Sequence, residues 1–294
     1  MKALRFSIVV PTYRRPDQLR RCLDAMVLAD YPRDAFEVLV VSDEVSGVTE
    51  EIVRNYQTAI PVSLVSQPHR GPARARNAGA ARAQGEFLIF LDDDSAPARD
   101  WLRQWELYTC RYPDHAAGGR AVNALSGNIY CSASHALLEY ILDYFNAGEP
   151  GLRPFVVSDN LCVPAAAFHA VAGFSAAFPL AAAEDRDFCD RWCAAGGVIS
   201  RAEQPTCFHA HELSLISFWR QHWNYGCGAH RLHQTRNSRG ESTRIEPLGF
   251  YVNLLRFPWT RERPGRALRL SVLLCVSQIA NAGGFLQEWW RNRR

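Results

Sequence analysis

Short apolar segments alternate with helical ones over the first 94 residues of the chain. Segments rich in β-branched and aromatic residues predict buried strands at 6–10, 36–41, 61–66 and 86–91. The segments between them predict helices at 15–28, 49–56 and 73–84, the last with Gly85 as its C-cap. Strands and helices in this order form βαβ units, so we expect an α/β fold around a mostly parallel sheet.

Composition excludes several other classes of protein. Of 294 residues, 48% are hydrophobic and 21% are charged, which is the balance of a globular chain. The net charge of +3 is too small to indicate nucleic-acid binding. Nine scattered cysteines without a CxxC pair argue against a zinc knuckle or a disulfide scaffold and favour reduced thiols in a cytoplasm.

The chain shows no targeting pattern. Its first apolar run leads directly into Pro11, so we expect no signal peptide. No stretch of about 18 uninterrupted apolar residues exists, so no membrane-spanning helix is predicted. The longest candidate, 268–280, is short and contains polar residues.

Polar residues follow three of the four predicted strands. Thr12 and Tyr13 follow the first strand, Asp43 the second, and the Asp92–Asp94 triplet the fourth. In a parallel sheet, ligands bind beyond the carboxyl ends of the strands. These side chains are therefore expected to converge on one site.

The Asp92–Asp94 triplet is the strongest single feature. Adjacent carboxylates repel one another unless solvent or a cation neutralises them. Asp92 and Asp94 point the same way if the strand continues, so they would flank one hard metal ion. Mg²⁺ and Mn²⁺ prefer such oxygen ligands together with substrate phosphates. The alternative is a solvated acidic turn, but its position after a buried strand favours the metal.

Arginines cluster where a loop passes into the third predicted helix, between Arg70 and Gly79. Free backbone N–H groups and guanidinium groups at a helix start suit a diphosphate. The alternative is an ordinary helix with solvated arginines, which we expect for Arg82 and for one of Arg74 and Arg76.

Two further clusters carry titratable groups. The segment Glu184–Asp187 precedes or opens a helix, so its acids either cap that helix or include a carboxylate that takes a proton from an acceptor hydroxyl. His209 and His211 follow a strand-like segment, and alternation would place both rings on one face to hold a metal. Packed or surface histidines are the alternative.

In their order and spacing these motifs resemble the family 2 glycosyltransferases, which have the GT-A nucleotide-sugar fold. The matching segments are 9–15, 40–43, 75–79, 85–94, 159–160, 173–174, 184–188 with Arg191, and 225–228. The resemblance covers roughly residues 5–230 and rests on several motifs in the same order rather than on one. It implies a GT-A domain, with a Rossmann-like central sheet and flanking helices, followed by a C-terminal helical extension.

The resemblance implies a role for each matching residue. The residues expected to bind the nucleotide-sugar donor are Pro11, Thr12, Tyr13, Arg15, Asp43, Arg70, Arg76, Asn77, Asp92 and Asp93. Asp43 would accept from a pyrimidine N–H, which favours uridine or thymidine donors. The residues expected to bind Mg²⁺ or Mn²⁺ are Asp92, Asp94 and one or both of His209 and His211. Asp185 matches the catalytic base, with Glu184 beside it.

The implied reaction is a single inverting displacement, in which Asp185 deprotonates the acceptor hydroxyl. The chain departs from the family pattern at Ser42 and Glu44, where a second acid and a glycine are common, and this affects base recognition. The glutamine- and tryptophan-containing motif of processive members is absent. We therefore expect transfer of one sugar to a glycan, a lipid-linked acceptor or a small molecule.

These inferences divide the chain into a donor half at 1–100, an acceptor and catalytic half at 101–230, and a helical extension at 231–294. Residues 231–244 are polar and basic and are expected to form a flexible loop. The apolar helices after it carry Trp259, Trp289 and Trp290 among arginines, as in helices that lie at a membrane interface. A packed helical pair or a dimer contact explains this pattern equally well.

We expect a cytoplasmic enzyme, peripheral at the inner face of the membrane if the interfacial interpretation holds. Two other classes share features with this sequence. A sugar-nucleotide pyrophosphorylase would carry a glycine-rich loop after the first strand, where this chain has Pro11-Thr12-Tyr13. A non-catalytic sugar-nucleotide binding module would have no need of Asp185.

Overall fold

The computed structural model describes residues 4–45, 47–149, 151–241, 243 and 245–293. Its strands are β1 Phe6–Thr12, β2 Phe36–Ser42, β3 Val62–Ser66, β4 Phe87–Leu91, β5 Ser95–Pro97, β6 His115–Asn123, β7 Asn160–Pro164 and β8 Val198–His209. Its helices are α1 Pro16–Val27, α2 Gly47–Tyr56, α3 Pro72–Ala80, α4 Trp101–Arg111, α5 Ile129–Phe145, α6 Ala165–Ala170, α7 Glu184–Ala194, α8 Leu215–Ser238, α9 Leu248–Arg256 and α10 Pro264–Arg291.

The chain forms two compact units. The first comprises residues 1–124, 154–179 and 185–210, and contains the whole sheet. The second comprises residues 125–153, 180–184 and 211–294, and contains α5, α8, α9 and α10.

The sheet of the first unit has eight strands in the order β3-β2-β1-β4-β7-β6-β8-β5. The neighbours β3, β2, β1 and β4 are parallel, as the βαβ pattern predicts. Beyond β4 the sheet is mixed: β7 is antiparallel to β4 and β6, β6 is parallel to β8, and β5 is antiparallel to β8. The predicted α/β fold is confirmed, and the parallel order is confined largely to its N-terminal half.

Alternation along the strands builds the core of the first unit. Phe6, Ile8 and Val10 of β1 lie in one apolar cluster with residues of α1 and α4. The intervening Val9 faces α3, because a Cβ at Gly79 would overlap the Val9 side chain. A residue without a side chain at Gly79 therefore allows α3 to pack closely on the sheet.

Gly85 has a different role from the predicted one. Helix α3 ends at Ala80, so Gly85 is not its C-cap. The hydroxyl of Ser7 in β1 accepts the N–H groups of Gln84 and Gly85 at 3.1 and 2.7 Å. A Cβ on Gly85 would lie 2.5 Å from the Ser7 backbone nitrogen. Glycine thus allows this turn to approach β1 as β4 begins.

In the second unit, the expected flexible loop at 231–244 is wrong over its first part. Helix α8 continues to Ser238 because it packs along α10. Arg231 on α8 pairs with the buried Glu288 of α10 at 2.7 Å. Gly226 and Gly284 bring the two backbones close, since a Cβ on either would overlap the other helix.

Helix α10 is longer than the predicted apolar segment. Among the described residues it is the one helix whose length and composition would allow it to cross a membrane, with a mean hydropathy of 1.3 over its most apolar 18 residues. Core helices of soluble proteins meet the same criterion, and 28% of that window is buried here.

Candidate active site

The predicted convergence at one edge of the sheet is present in the first unit. Parallel pairing ends β1 at Thr12 directly beside Ser42, the last residue of β2. The neighbouring β4 ends at Leu91, where the acidic triplet begins. The Thr12 hydroxyl donates to Asp93 Oδ2 at 2.7 Å, so the exits of β1 and β4 are joined directly.

Two arginines hold the three carboxylates of the triplet. Arg76 Nη2 lies 2.7 Å from Asp92 Oδ1. Arg15 Nη1 lies 3.3 Å from Asp93 Oδ1 and 3.0 Å from Asp94 Oδ2. The repulsion expected among three adjacent acids is therefore offset within the protein itself.

His209 joins the triplet from β8. The pairing of β5 with β8 places Ser95 opposite His209, and the Ala210 N–H donates to the Asp94 carbonyl at 2.8 Å. The imidazole Nε2 then lies 2.9 Å from Asp94 Oδ1. Strand pairing between distant segments thus adds an imidazole to the predicted carboxylates.

Asp92, Asp94 and His209 fit a divalent metal ion. One ligand atom from each residue lies within 4.8 Å of the others. The two carboxylates are oxygen donors that suit Mg²⁺ and Mn²⁺, and the imidazole offers a further nitrogen ligand.

The sequence predicts that His209 and His211 share one face of a strand, but that strand is shorter than this prediction requires. β8 ends at His209, so the alternation that would have placed both rings on one face does not extend to His211. His211 belongs to the second unit, where its carbonyl accepts from the Cys131 thiol at 3.1 Å.

The site shifts the pKa values of its own groups. Burial raises the pKa of Asp93 to about 6, although Arg15 opposes that shift. For His209, burial alone would lower the pKa. The hydrogen bond to Asp94 and the charges of Asp94, Asp159 and Asp92 outweigh burial and raise the pKa to about 9. A pKa above neutrality favours the imidazolium form of His209 in the metal-free protein, and His209 would have to lose that proton to serve as a metal ligand.

Asp185 lies at the start of α7, half-buried in the first unit. Its Oδ1 accepts the Arg186 N–H at 2.8 Å. Burial raises the pKa of the Asp185 carboxyl, and that N–H and the charges of Arg76 and Arg186 oppose the rise only in part. A carboxylate with a raised pKa is a better proton acceptor at neutral pH.

The acids on either side of Asp185 have different surroundings. Glu184 is buried and belongs to the second unit, so its predicted part in catalysis stays a prediction. Asp187 is buried and pairs with Arg191 at 2.9 Å, while the Arg191 guanidinium also donates to the carbonyls of Val171 and Gly173. Asp187 therefore stabilises the fold.

Asp43 organises the loop between β3 and α3. Its Oδ1 accepts from Gln67 Nε2 at 2.6 Å and from the Arg70 N–H at 2.8 Å. Its Oδ2 accepts from the Gly71 N–H at 2.8 Å and lies 2.9 Å from His69 Nδ1. These four donors use the acceptor positions of one carboxylate. A base N–H therefore reaches Asp43 only when one of the donors moves.

His69 and Gln67 are the site residues that the sequence interpretation missed. The His69 ring stacks on Tyr13, with centroids 4.2 Å apart and planes 23° apart, and its side chain is 59% exposed. A signal existed, because the third strand must end at the same edge as the first two. Residues 67–69 have no charge cluster or motif of their own, so their position after the strand is the one sign of their role.

The other predicted donor-binding residues differ in exposure. Arg76 is only 4% exposed, whereas Arg70, Arg74 and Arg82 are exposed, which resolves the alternatives for the arginine cluster. Asn77 donates to the Phe174 carbonyl at 2.7 Å and accepts the Phe174 N–H at 2.9 Å. Asn77 thus holds a turn in this structure, and its contact with a donor stays a prediction. Pro11 lies within β1, beside Val41.

Comparison with known proteins places this geometry in a family. The family model described as glycosyl transferase family 2 matches residues 7–166. Glycosyltransferase AglE of Haloferax volcanii is 34% identical over 100 residues, which are 33% of this chain and 33% of AglE. Poly(ribitol-phosphate) beta-N-acetylglucosaminyltransferase TarS of Staphylococcus aureus is 32% identical over 102 residues, which are 34% of this chain and 18% of TarS. The matched segments thus span a third or less of these relatives.

Solved structures share the fold over nearly the whole chain. The mannosyltransferase PcManGT from Pyrobaculum calidifontis, in complex with GDP-Man and Mn²⁺, has a TM-score of 0.65 at 18% identity, covering 96% of this chain and 88% of that one. Staphylococcus aureus TarS in complex with UDP-GlcNAc has a TM-score of 0.54 at 18% identity, covering 99% and 93%. At such identities the likeness shows the GT-A-type fold alone. Because the family model covers more than half of the chain, including the parallel strands and the acidic triplet, the chain belongs to glycosyl transferase family 2.

Proposed function

We propose that this chain is a metal-dependent, inverting glycosyltransferase that moves one sugar from a nucleotide-sugar donor to an acceptor hydroxyl. The observation that carries the proposal is that the first unit holds both a candidate metal site and a candidate catalytic base. The Asp92, Asp94 and His209 group fits a divalent ion, and Asp185 is a half-buried carboxylate with a raised pKa. Family membership supports the same reaction class.

The residues divide the reaction between them. Asp185 takes the proton of the acceptor hydroxyl as its oxygen forms a bond to the anomeric carbon. The bond from that carbon to the diphosphate breaks on the opposite face, and its electron pair leaves with the nucleoside diphosphate. Arg15 and Arg76 contribute positive charge at the triplet. A bound Mg²⁺ or Mn²⁺, held by Asp92, Asp94 and His209, would stabilise charge on the leaving diphosphate.

We expect the donor to be a UDP- or dTDP-sugar. Tyr13 has a partly exposed ring that stacks on His69, and Asp43 accepts from the loop that carries His69, so a base would bind here by displacing His69. Since His69 is the exposed donor on Asp43, it is the group that would yield to a pyrimidine N–H. TarS has been solved in complex with UDP-GlcNAc and PcManGT in complex with GDP-Man and Mn²⁺, so GDP belongs in any test. In this proposal residues 1–100 serve the donor and 101–230 the acceptor.

The first experiment is a thermal-shift panel with UDP, dTDP, GDP and CDP, each with and without Mn²⁺. A ligand at about 100 times its Kd adds roughly 2.7 kcal/mol of stability, so binding raises Tm visibly. We expect stabilisation by UDP or dTDP that needs Mn²⁺. Asp94→Ala should abolish it, and Asp100→Ala, which removes an exposed acid of the same unit, should not. If no nucleotide changes Tm, the proposed use of a nucleotide sugar is wrong.

We also propose that the second unit contacts the cytoplasmic face of a membrane through α10. Leu268, Val272, Ile279, Leu286 and Trp290 are each more than half exposed and recur at intervals that place them on one side of the helix. From 270 to 287 the helix carries no charge, and exposed arginines lie at both ends, at 263 and 269 and at 291 and 293. This composition supports an interfacial helix on anionic lipid, which would suit a lipid-linked acceptor. Flotation with anionic vesicles tests it.

A further inference from the structure

Asp159 is a buried acid of the first unit that the reaction above does not use. It directly precedes β7, which is antiparallel to β4 with Leu91 opposite Asn160. One residue further, the Asp92 N–H donates to the Asp159 carbonyl at 3.4 Å, so Asp92 and Asp159 continue the register. Opposite residues of paired strands share a face, with Cβ atoms about 4.5–5.5 Å apart. The two carboxyl groups therefore lie on the same face.

Such a placement is costly without a cation. Like charges directly opposite each other destabilise a strand pair. Asp159 is only 8% exposed, and its Oδ1 has no hydrogen-bond donor within the described part of the chain. A buried carboxylate oxygen without a donor loses its hydration and forms no hydrogen bond that would compensate for the loss.

The charges around Asp159 belong to the site. Burial raises its pKa to about 6; the charge of His209 opposes the rise, and those of Asp92, Asp185 and Asp94 add to it. Asp159 is thus within electrostatic range of both the metal-ligand group and the proposed base. The unpartnered oxygen of Asp159 therefore lies among the charged groups of this site.

We propose that Asp159 is an outer ligand of the divalent ion: its Oδ1 accepts a hydrogen bond from a water molecule on an ion held by Asp92, Asp94 and His209. The inference rests on the metal-dependent function proposed above. An outer position is favoured because Asp159 is not in the group of atoms that lie within 4.8 Å of one another. Mg²⁺ characteristically keeps several waters, and those waters need acceptors. The proposal gives the unpartnered oxygen its donor and adds negative charge near the ion.

The test is a titration of the full chain with Mn²⁺, followed by loss of the free-ion EPR signal, with and without UDP. It compares the unmodified chain, Asp159→Asn, and Asp100→Asn as a control with the same change in formal charge on the surface. Loss of an outer-shell partner typically weakens metal affinity 10- to 100-fold. We expect Asp159→Asn to fall in that range and Asp100→Asn to bind as the unmodified chain does.

A second measurement separates this role from a structural one. Without metal, Asp159→Asn should melt at the same temperature or higher, because the substitution removes a buried, unpaired charge. If weaker Mn²⁺ binding comes with a markedly lower metal-free Tm in both Asp159→Asn and Asp159→Ala, Asp159 is structural and the proposal is wrong. Unchanged Mn²⁺ affinity in Asp159→Asn also overturns it. If the unmodified chain binds no Mn²⁺ even with UDP, the proposed metal dependence fails instead.

Discussion

At the scale of single residues, the acidic triplet is balanced by three charged side chains and one hydroxyl, which come from three separate segments. Arg15 comes from the turn before α1, Arg76 from α3 and His209 from the end of β8, while the hydroxyl comes from Thr12. Arg76 on Asp92, and Arg15 and His209 on Asp94, would have to share or release their carboxylates when a metal binds. In the metal-free site the carboxylate charges are therefore balanced by positively charged side chains.

The raised pKa of His209 predicts how the metal-free stability depends on pH. A histidine whose folded pKa exceeds its ordinary value of 6.5 stabilises the fold fully below pH 6.5, and this contribution is lost as pH rises toward about 9. We expect the free energy of unfolding of the metal-free protein to fall over pH 6.5–9, by up to about 1.4 kcal/mol per pH unit. The metal-free Tm should fall with it. Thermal melts across this range measure it. His209→Asn should flatten the slope, and an equal slope in that variant would contradict the assignment.

Asp185→Asn tests the proposed base. The amide keeps the size of the side chain but cannot take a proton, so turnover should fall by about 10²- to 10⁴-fold. Nucleotide and Mn²⁺ should still stabilise the variant, because Asp185 is not a metal ligand in this proposal. The measurements are UDP release from a panel of UDP-sugars and the thermal shift. Asp94→Ala, which removes a proposed metal ligand, should lose the thermal shift as well as turnover. Full turnover in Asp185→Asn would mean that another group is the base.

At the scale of elements, close backbone approaches decide how the predicted segments assemble. Gly79 lets α3 lie against the sheet, and Gly85 lets the following turn touch β1. Neither approach is visible as periodicity, because periodicity reports which face of one element is buried and not how near its partner comes.

Gly85→Ala is predicted to destabilise the protein. The new methyl group would meet backbone atoms of β1, which cannot move aside cheaply, so a cost of about 1–3 kcal/mol is expected. Gly47→Ala is the matched control, since nothing lies within 4 Å of its Cβ position and alanine favours the helix α2. Urea unfolding of both variants measures the difference. Equal stability of the two variants would show that the turn can shift away from β1.

Much of the first half of the fold could be predicted from sequence, and less of the rest. The four strands from β1 to β4 and the helices between them follow from alternation and helical spacing, with boundaries shifted by a few residues. The strands β5 to β8 are separated by long helical segments, and their pairing order depends on packing. Helix α8 extends through a polar segment because Arg231 finds Glu288 on α10, a contact that composition alone does not reveal.

At the scale of the whole molecule, the second unit exposes an apolar side of α10, and the helix carries no charge between residues 270 and 287. It is about 33 Å long from Leu268 to Trp290, at 1.5 Å per residue. Arginines at both ends would meet anionic headgroups, and their attraction falls with added salt.

Val272→Glu combined with Ile279→Glu tests this surface. Two acids on the exposed face of α10 should abolish flotation with anionic vesicles and leave the nucleotide thermal shift unchanged, because neither residue lies in the unit that holds the site. Leu107→Glu, an exposed apolar residue of α4 in the first unit, is the control. If the double variant floats as before, the membrane contact is wrong. If it changes only the molecular mass in solution, α10 is a contact between copies of the chain.

The sequence alone determined the α/β architecture, the convergence of strand exits on one edge, and the identity of Asp92, Asp94 and Asp185 as candidates. These follow from local rules, since burial patterns repeat with the period of the element and parallel strands end at a common edge. The tertiary structure decided that His209 reaches Asp94, that four donors of one loop saturate Asp43, and that Asp159 lies opposite Asp92. Those contacts join segments far apart in the chain, and strand register and side-chain packing select among partners that the sequence treats as equivalent.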